Sequence, residues 1–201
     1  KRKERNSQIL SEQAQYLADE LGKLKGAVVK IGQMMALYGE HLLPQEVTTA
    51  LRTLEEGTTA LAWPVIEKTL KATLGSAYND FTIEREPIGA ASLAQVHKAV
   101  HIASGDIVCL KVQYPGVDDA FDRDLNSVLR LLTLTNFIKR DADVETWLEE
   151  IRRLLYQEVD YELEADKTER FYRQLKGHPI LRVPKVYRQY SSKRLLVTSF
   201  E

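Results

Sequence analysis

The spacing of apolar positions along the chain changes once, near residue 80. Before that point it is helical: in Ser7 to Leu24 the residues Ile9, Leu10, Ala14, Leu17, Ala18 and Leu21 return every three or four positions, which predicts an amphipathic helix. Ala27 to Leu37 is apolar except for Lys30 and Gln33, and reads as a second helix. Pro44 opens a helical pattern reaching Leu54, and Pro64 opens one reaching Leu74 with Gly75 as its stop. In both, the ring falls in the first turn, where a missing amide hydrogen costs nothing. Short strands follow: Phe81 to Glu84 running on to Pro87, then Ala94 to Ile102, then Ile107 to Val112, the last two joined by the turn residues Ser104-Gly105-Asp106. Val117 to Lys139 returns to helical spacing, with Phe121, Leu125, Val128 and Leu132 on one stripe. One long helix is expected from about Val144 to Leu175, and two final strands over 183–190 and 194–200 around Ser191-Ser192. The pattern predicts an α+β fold with about five antiparallel strands.

Composition narrows the function classes. With 44% hydrophobic and 28% charged residues the chain of 201 residues is that of an ordinary globular protein. Its 28 Lys and Arg are balanced by 29 Asp and Glu, so no broad positive field favours nucleic acid, and none is expected as a partner. Cys109 stands alone, which excludes an internal disulfide and fits a reducing compartment. The four histidines have no zinc-ligand spacing, and no metal site is expected within the chain. The longest apolar runs, such as Leu129 to Ile138, fall short of the ~20 residues that cross a bilayer. No signal peptide is visible, and the chain starts without Met.

Four short segments carry candidate chemistry. Gly89-Ala90-Ala91-Ser92-Leu93-Ala94-Gln95-Val96-His97 joins the first two strands with small residues, which let backbone amides approach phosphate oxygens, and Ser92 adds a hydroxyl donor. A Cβ at each alanine removes positive φ angles and stiffens such a loop. Taken alone, the segment reads rather as a tight turn packed against its neighbour. Val108-Cys109-Leu110-Lys111-Val112 is an apolar strand with one cation at its middle, which needs either a partner or an outlet to water. Glu158-Val159-Asp160-Tyr161-Glu162-Leu163-Glu164 supplies carboxylates: on a continuous helix Asp160 and Glu164 share a face and Glu158 does not. A solvated charged face is the alternative there. In Lys30-Ile31-Gly32-Gln33, Lys30 and Gln33 occupy neighbouring positions on a helix face, and Gly32 permits a close backbone approach; interfacial residues often look the same.

Taken in order, Lys30 to Gln33, Gly89 to His97, Val108 to Val117, and Glu158-Val159-Asp160 followed by Glu164 resemble the UbiB/AarF family of atypical kinases along nearly the whole chain. The resemblance implies a protein-kinase-like small lobe with a long αC-type helix, preceded by an all-helical N-terminal extension. It divides the chain into an extension over 1–79 and a small lobe over 80–201 with a helical insertion at about 116–142. It implies that Lys111 binds nucleotide phosphates and pairs with Glu164, and that Gly89, Ala90, Ala91 and Ser92 replace the kinase glycine-rich loop. Thr198 falls near the gatekeeper position, with Ser199 and Phe200 on the hinge that holds the adenine. Lys30 and Gln33 belong to a helix that folds over the cleft, where Glu158 and Asp160 contact it.

The same resemblance implies ATP or ADP with Mg²⁺ as cofactors. It implies a kinase or ATPase that supports ubiquinone biosynthesis by acting on a small or lipid-linked target, with peripheral membrane association and pathway intermediates or enzymes as partners. The catalytic-loop residues and the Mg²⁺ ligands are expected downstream of Glu201, so this portion is expected to be inactive alone. The implied location is the mitochondrial matrix or the cytoplasmic face of a bacterial inner membrane. A nucleotide-sensing scaffold that binds membrane or partner enzymes through the helical extension is the alternative from another class, and an unrelated α+β interaction domain a third.

Overall fold

Helix-favouring and strand-favouring stretches alternate in the computed structural model, which describes residues 2–24, 27–39, 41–54, 60–138 and 142–201. In chain order the elements are α1 (Arg2–Leu24), α2 (Ala27–Tyr38), α3 (Gln45–Arg52), α4 (Trp63–Leu74), a 3-10 turn at Gly75–Asp80, β1 (Phe81–Ala90), β2 (Ala94–His101) and β3 (Ile107–Gln113). They continue with α5 (Val117–Leu134), α6 (Ala142–Glu158), α7 (Tyr161–Leu175), a 3-10 turn at Arg188–Tyr190 and β4 (Leu195–Ser199). The chain forms two compact units, one from Lys1–Thr58 with Gly116–Tyr156 and one from Thr59–Pro115 with Gln157–Glu201.

The first unit is helical. Helices α1, α2 and α3 pack on one another and α2 packs on α5, burying Leu17 and Leu21, Ile31 and Met35, Leu51, and Phe121 and Leu125. Gly32 is a point of close approach: a Cβ built there would lie 2.5 Å from Cδ1 of Leu54, so the neighbour is a side chain rather than the backbone that the sequence suggested. Helix α5 stops at Leu134, short of the expected Lys139, which itself lies outside the described residues. Asn136, at a left-handed φ of 56°, turns the chain there.

The second unit holds a four-stranded antiparallel sheet in the order β1-β2-β3-β4. Register puts Gln95, His97 and Ala99 on one face with Val108, Leu110 and Val112, and α4 meets β3 on that side, where Trp63 lies against His97; its Ile66 and Leu70 are fully buried. Each such side chain stabilises the fold by about 1.5–3 kcal/mol. His97 is a satisfied core residue. Its Nδ1–H donates to the Glu84 carbonyl at 2.8 Å, which leaves Nε2 to accept from the Gln95 amide at 2.8 Å. Gln95 Oε1 in turn accepts the Leu61 N–H at 2.8 Å, and the Trp63 ring lies 5.3 Å from the His97 ring. These contacts tie α4 to the strands, and the second unit accordingly begins before α4 rather than at residue 80.

Two elements differ from the sequence expectation. The fifth strand over 183–190 is reduced to a single bridge between Val186 and Thr198, because a 3-10 turn curls the chain at Arg188. That turn sends Tyr187 Oη to Asp106 at 2.9 Å and Tyr190 Oη to Asp80 at 3.2 Å, anchoring the segment on other parts of the sheet unit. The long helix over 144–175 is broken between Glu158 and Tyr161. Asp160 adopts an extended φ of −91° and ψ of 92°, and its side chain accepts the Leu163 N–H at 3.1 Å, a helix N-cap that cannot lie inside a helix.

Candidate functional site

The face of the sheet opposite α4 carries the candidate chemistry. Alternation from Lys111 puts Cys109 and Gln113 on its side of β3, and register adds Ala94, Val96 and Lys98 from β2 and Leu196 and Thr198 from β4. Helix α7 meets this face through Tyr161 and Ala165, which cluster with Ala94, Val186 and Leu196. The N-cap at Asp160 fixes where α7 starts, and Glu164 follows one turn later, its own N–H bonded to the Asp160 carbonyl at 3.1 Å.

Lys111 and Glu164 are brought together. Nζ donates to Oε1 at 2.7 Å and to Oε2 at 2.6 Å, and lies 4.7 Å from the centre of the Tyr161 ring. About a third of each side chain remains exposed (34% and 38%), so solvent screens the pair and its net stabilisation is on the order of 1 kcal/mol or less. A cation held this way stays open to a further anionic ligand. Tyr161 is 1% exposed; burial, then the charges of Glu164 and Glu158, pushes its phenol above the ordinary tyrosine range.

Gly89 and Ala90 lie inside β1, opposite Val96 and Gln95, and the turn proper is Ala91-Ser92-Leu93, closed by the Ala91 N–H donating to the Ala94 carbonyl at 2.8 Å. Gly89, Ala90 and Ala91 are exposed, whereas Ser92 is buried at 4%. Gly89 has no positive φ, and a Cβ there would meet nothing within 4 Å. The segment is therefore a hairpin whose glycine is not required by conformation.

Thr198 pairs with Cys109 on the Lys111 face. Ser199 pairs with Val108 and so faces away; its N–H donates to the Lys185 carbonyl at 2.8 Å. The Phe200 N–H donates to the Ile107 carbonyl at 3.1 Å, and its exposed ring lies 5.0 Å from Lys98 Nζ. Both backbone amides expected to face an adenine thus already have acceptors. In the helical unit, Gln33 Nε2 donates to the Leu54 carbonyl at 2.7 Å, joining α2 to the chain just after α3, while Lys30 lies three positions earlier on α2 and is partly exposed. Glu158 is the last residue of α6 and is exposed.

Cys109 and Val96 fall in segments named from the sequence but, like Gln113, were given no role at the site. Counting two positions either way from Lys111 finds Cys109 and Gln113, since strand residues share a face at that interval; Val96 needed the register. Burial pushes the Cys109 thiol up, opposed by the nearby Lys98 charge.

Among the described residues no cluster of three or more His, Cys, Asp or Glu side chains is arranged to hold a metal ion, and no helix is long and apolar enough to cross a membrane.

Residues 53–200 match the family described as the ABC1 atypical kinase-like domain. The chain is 31% identical over 182 residues to the mitochondrial atypical kinase COQ8 of Saccharomyces cerevisiae, covering 90% of this chain and 36% of that protein. It is 37% identical over 177 residues to the probable serine/threonine-protein kinase abkD of Dictyostelium discoideum, covering 87% and 25%. The chain spans about a third of the length of the curated relatives it matches. Among solved structures it resembles the Rv3197–erythromycin complex from Mycobacterium tuberculosis, with a TM-score of 0.59 and 27% identity over 100% of this chain and 51% of that one.

Proposed function

The chain belongs to the ABC1 atypical kinase-like family, and from that premise we propose that the protein containing it binds ATP or ADP with Mg²⁺ and works as an atypical kinase or ATPase of the UbiB type in support of ubiquinone biosynthesis. The observation that carries the reading is the Lys111–Glu164 pair, a cation about one-third exposed and oriented by a carboxylate, on the face that also presents Thr198 and the edge of the alanine turn. Such a cation suits the phosphates of a nucleotide, and Glu164 keeps its ammonium from swinging away. In this reading Lys111 and Glu164 do the phosphate work, Gly89 and Ala90 at the end of β1 lead into the turn at Ala91 and Ser92 beside them, and Thr198 faces the base end, with Ser199 and Phe200 following it in the chain. Bound Mg²⁺ would supply charge neutralisation between phosphates, and no residue of this chain is assigned to it.

The substrate is a small or lipid-linked molecule, in the mitochondrial matrix or at the cytoplasmic face of a bacterial inner membrane, with peripheral membrane attachment. Lys30 and Gln33 of the helical extension are assigned to limiting polypeptide substrates and to the choice of nucleotide. Phosphate release and autophosphorylation by the full-length protein test this. Replacing Lys30 or Gln33 should raise autophosphorylation or alter the choice between ATP and ADP; no change in either overturns the gating role. Because Gln33 also ties α2 to Leu54, the variants need a thermal-denaturation control.

A second reading, a non-catalytic nucleotide sensor that docks on membrane or partner enzymes, is favoured by one feature. The helical unit has an open groove of about 720 Å³ lined by Ile9, Tyr16 and Leu17 of α1 and Leu131 of α5, with Tyr16 68% exposed. ATP turnover by the full-length protein decides against it.

A further inference from the structure

On the Lys111 face, one polar group has no partner. Gln113 is 3% exposed, and its Nε2 makes no hydrogen bond among the described residues. Leaving a buried amide donor unpaired costs about 1–3 kcal/mol, a penalty that folded proteins seldom carry without a use. Two carboxylates at the start of α7 are turned to other donors: both oxygens of Glu164 accept from Lys111, and Oδ1 of Asp160 accepts from the Leu163 N–H.

Position adds to this. Gln113 sits two residues beyond Lys111, about 6.6 Å along the same side of the strand, and directly across from Ala94, the residue that closes the alanine turn. A ligand that satisfied Lys111 beneath that turn would bring its anionic oxygens within a side chain's reach of Gln113.

Resting on the nucleotide reading above, we infer that Gln113 is a phosphate-contacting residue. Its side-chain amide donates to an oxygen of the phosphate chain held by Lys111, and its unpaired state is the ligand-free half of that contact. The ligand it reads is an oxyanion of a nucleoside di- or triphosphate, not the base.

The test uses full-length protein, titrated with ATP, ADP and adenosine by calorimetry, together with thermal denaturation without ligand. Gln113→Met removes the donor and keeps the volume. The expected result is about tenfold weaker ATP and ADP binding, unaltered adenosine binding, and a thermal midpoint that is unchanged or higher, because an orphan donor has gone. Gln113→Glu sets a carboxylate against the phosphates and should weaken ATP and ADP binding further. Unchanged ATP affinity in both variants, or a parallel loss for adenosine, overturns the contact while leaving nucleotide binding intact. So does a Met variant that is destabilised while the Glu variant binds normally. If the parent protein binds ATP no better than adenosine, the phosphate role of Lys111 falls together with that of Gln113.

Discussion

The Asp160 carboxylate accepts the backbone N–H of Leu163 at 3.1 Å, and that bond sets the first turn of α7, from which Glu164 reaches Lys111. Asp160→Ala leaves the amide without its cap and should lower stability by about 1 kcal/mol in chemical denaturation. Asp160→Ser, which retains an acceptor, should recover most of it.

Gln95 is 1% exposed and serves two neighbours at once, the Leu61 backbone and the His97 ring. Gln95→Leu strands a backbone N–H and an imidazole nitrogen inside the sheet unit. The expected loss is about 2–3 kcal/mol in unfolding free energy, larger than for a substitution at exposed Glu84.

Gly89 has an ordinary φ and open space where a Cβ would go. Gly89→Ala should therefore raise stability by about 0.4–1 kcal/mol through the unfolded chain, with nucleotide affinity kept. A loss of stability would mean that the glycine serves a conformation this hairpin does not display.

Tyr161 gives a pH signature. Its folded phenol titrates above the ordinary value, so its contribution is fully present below the unfolded pKa of about 10 and is lost as pH rises towards the folded value. Stability should fall with pH above about 10, by up to about 1.4 kcal/mol per pH unit from this one group. Tyr161→Phe should flatten that slope in denaturation series across the alkaline range, whatever it does to stability at neutral pH.

Much of the architecture was legible because strong periodicities are local. The stripes Phe121-Leu125-Val128-Leu132 and Leu17-Leu21 fall on helices, and the hairpin at Ser104-Gly105-Asp106 follows from its turn residues. The break at Asp160 was not legible, since an aspartate one turn before a glutamate fits a helix interior as well as a cap. Nor was the loss of the fifth strand, which depends on Tyr187 and Tyr190 finding Asp106 and Asp80 far off in sequence. The Lys111–Glu164 pairing came from family resemblance, because the sequence pattern alone left several carboxylates equally placed. Gln113 escaped notice because a buried unpaired donor is visible only once burial and hydrogen-bond partners are known.

The most direct measurement is calorimetric titration of ATP with Mg²⁺ into the full-length protein beside its Lys111→Met variant. If Lys111 holds the phosphates, the variant binds about tenfold more weakly or worse, while its nucleotide-free thermal midpoint stays near that of the parent, since the exposed pair adds little to stability. Equal affinity in the two proteins would contradict the account.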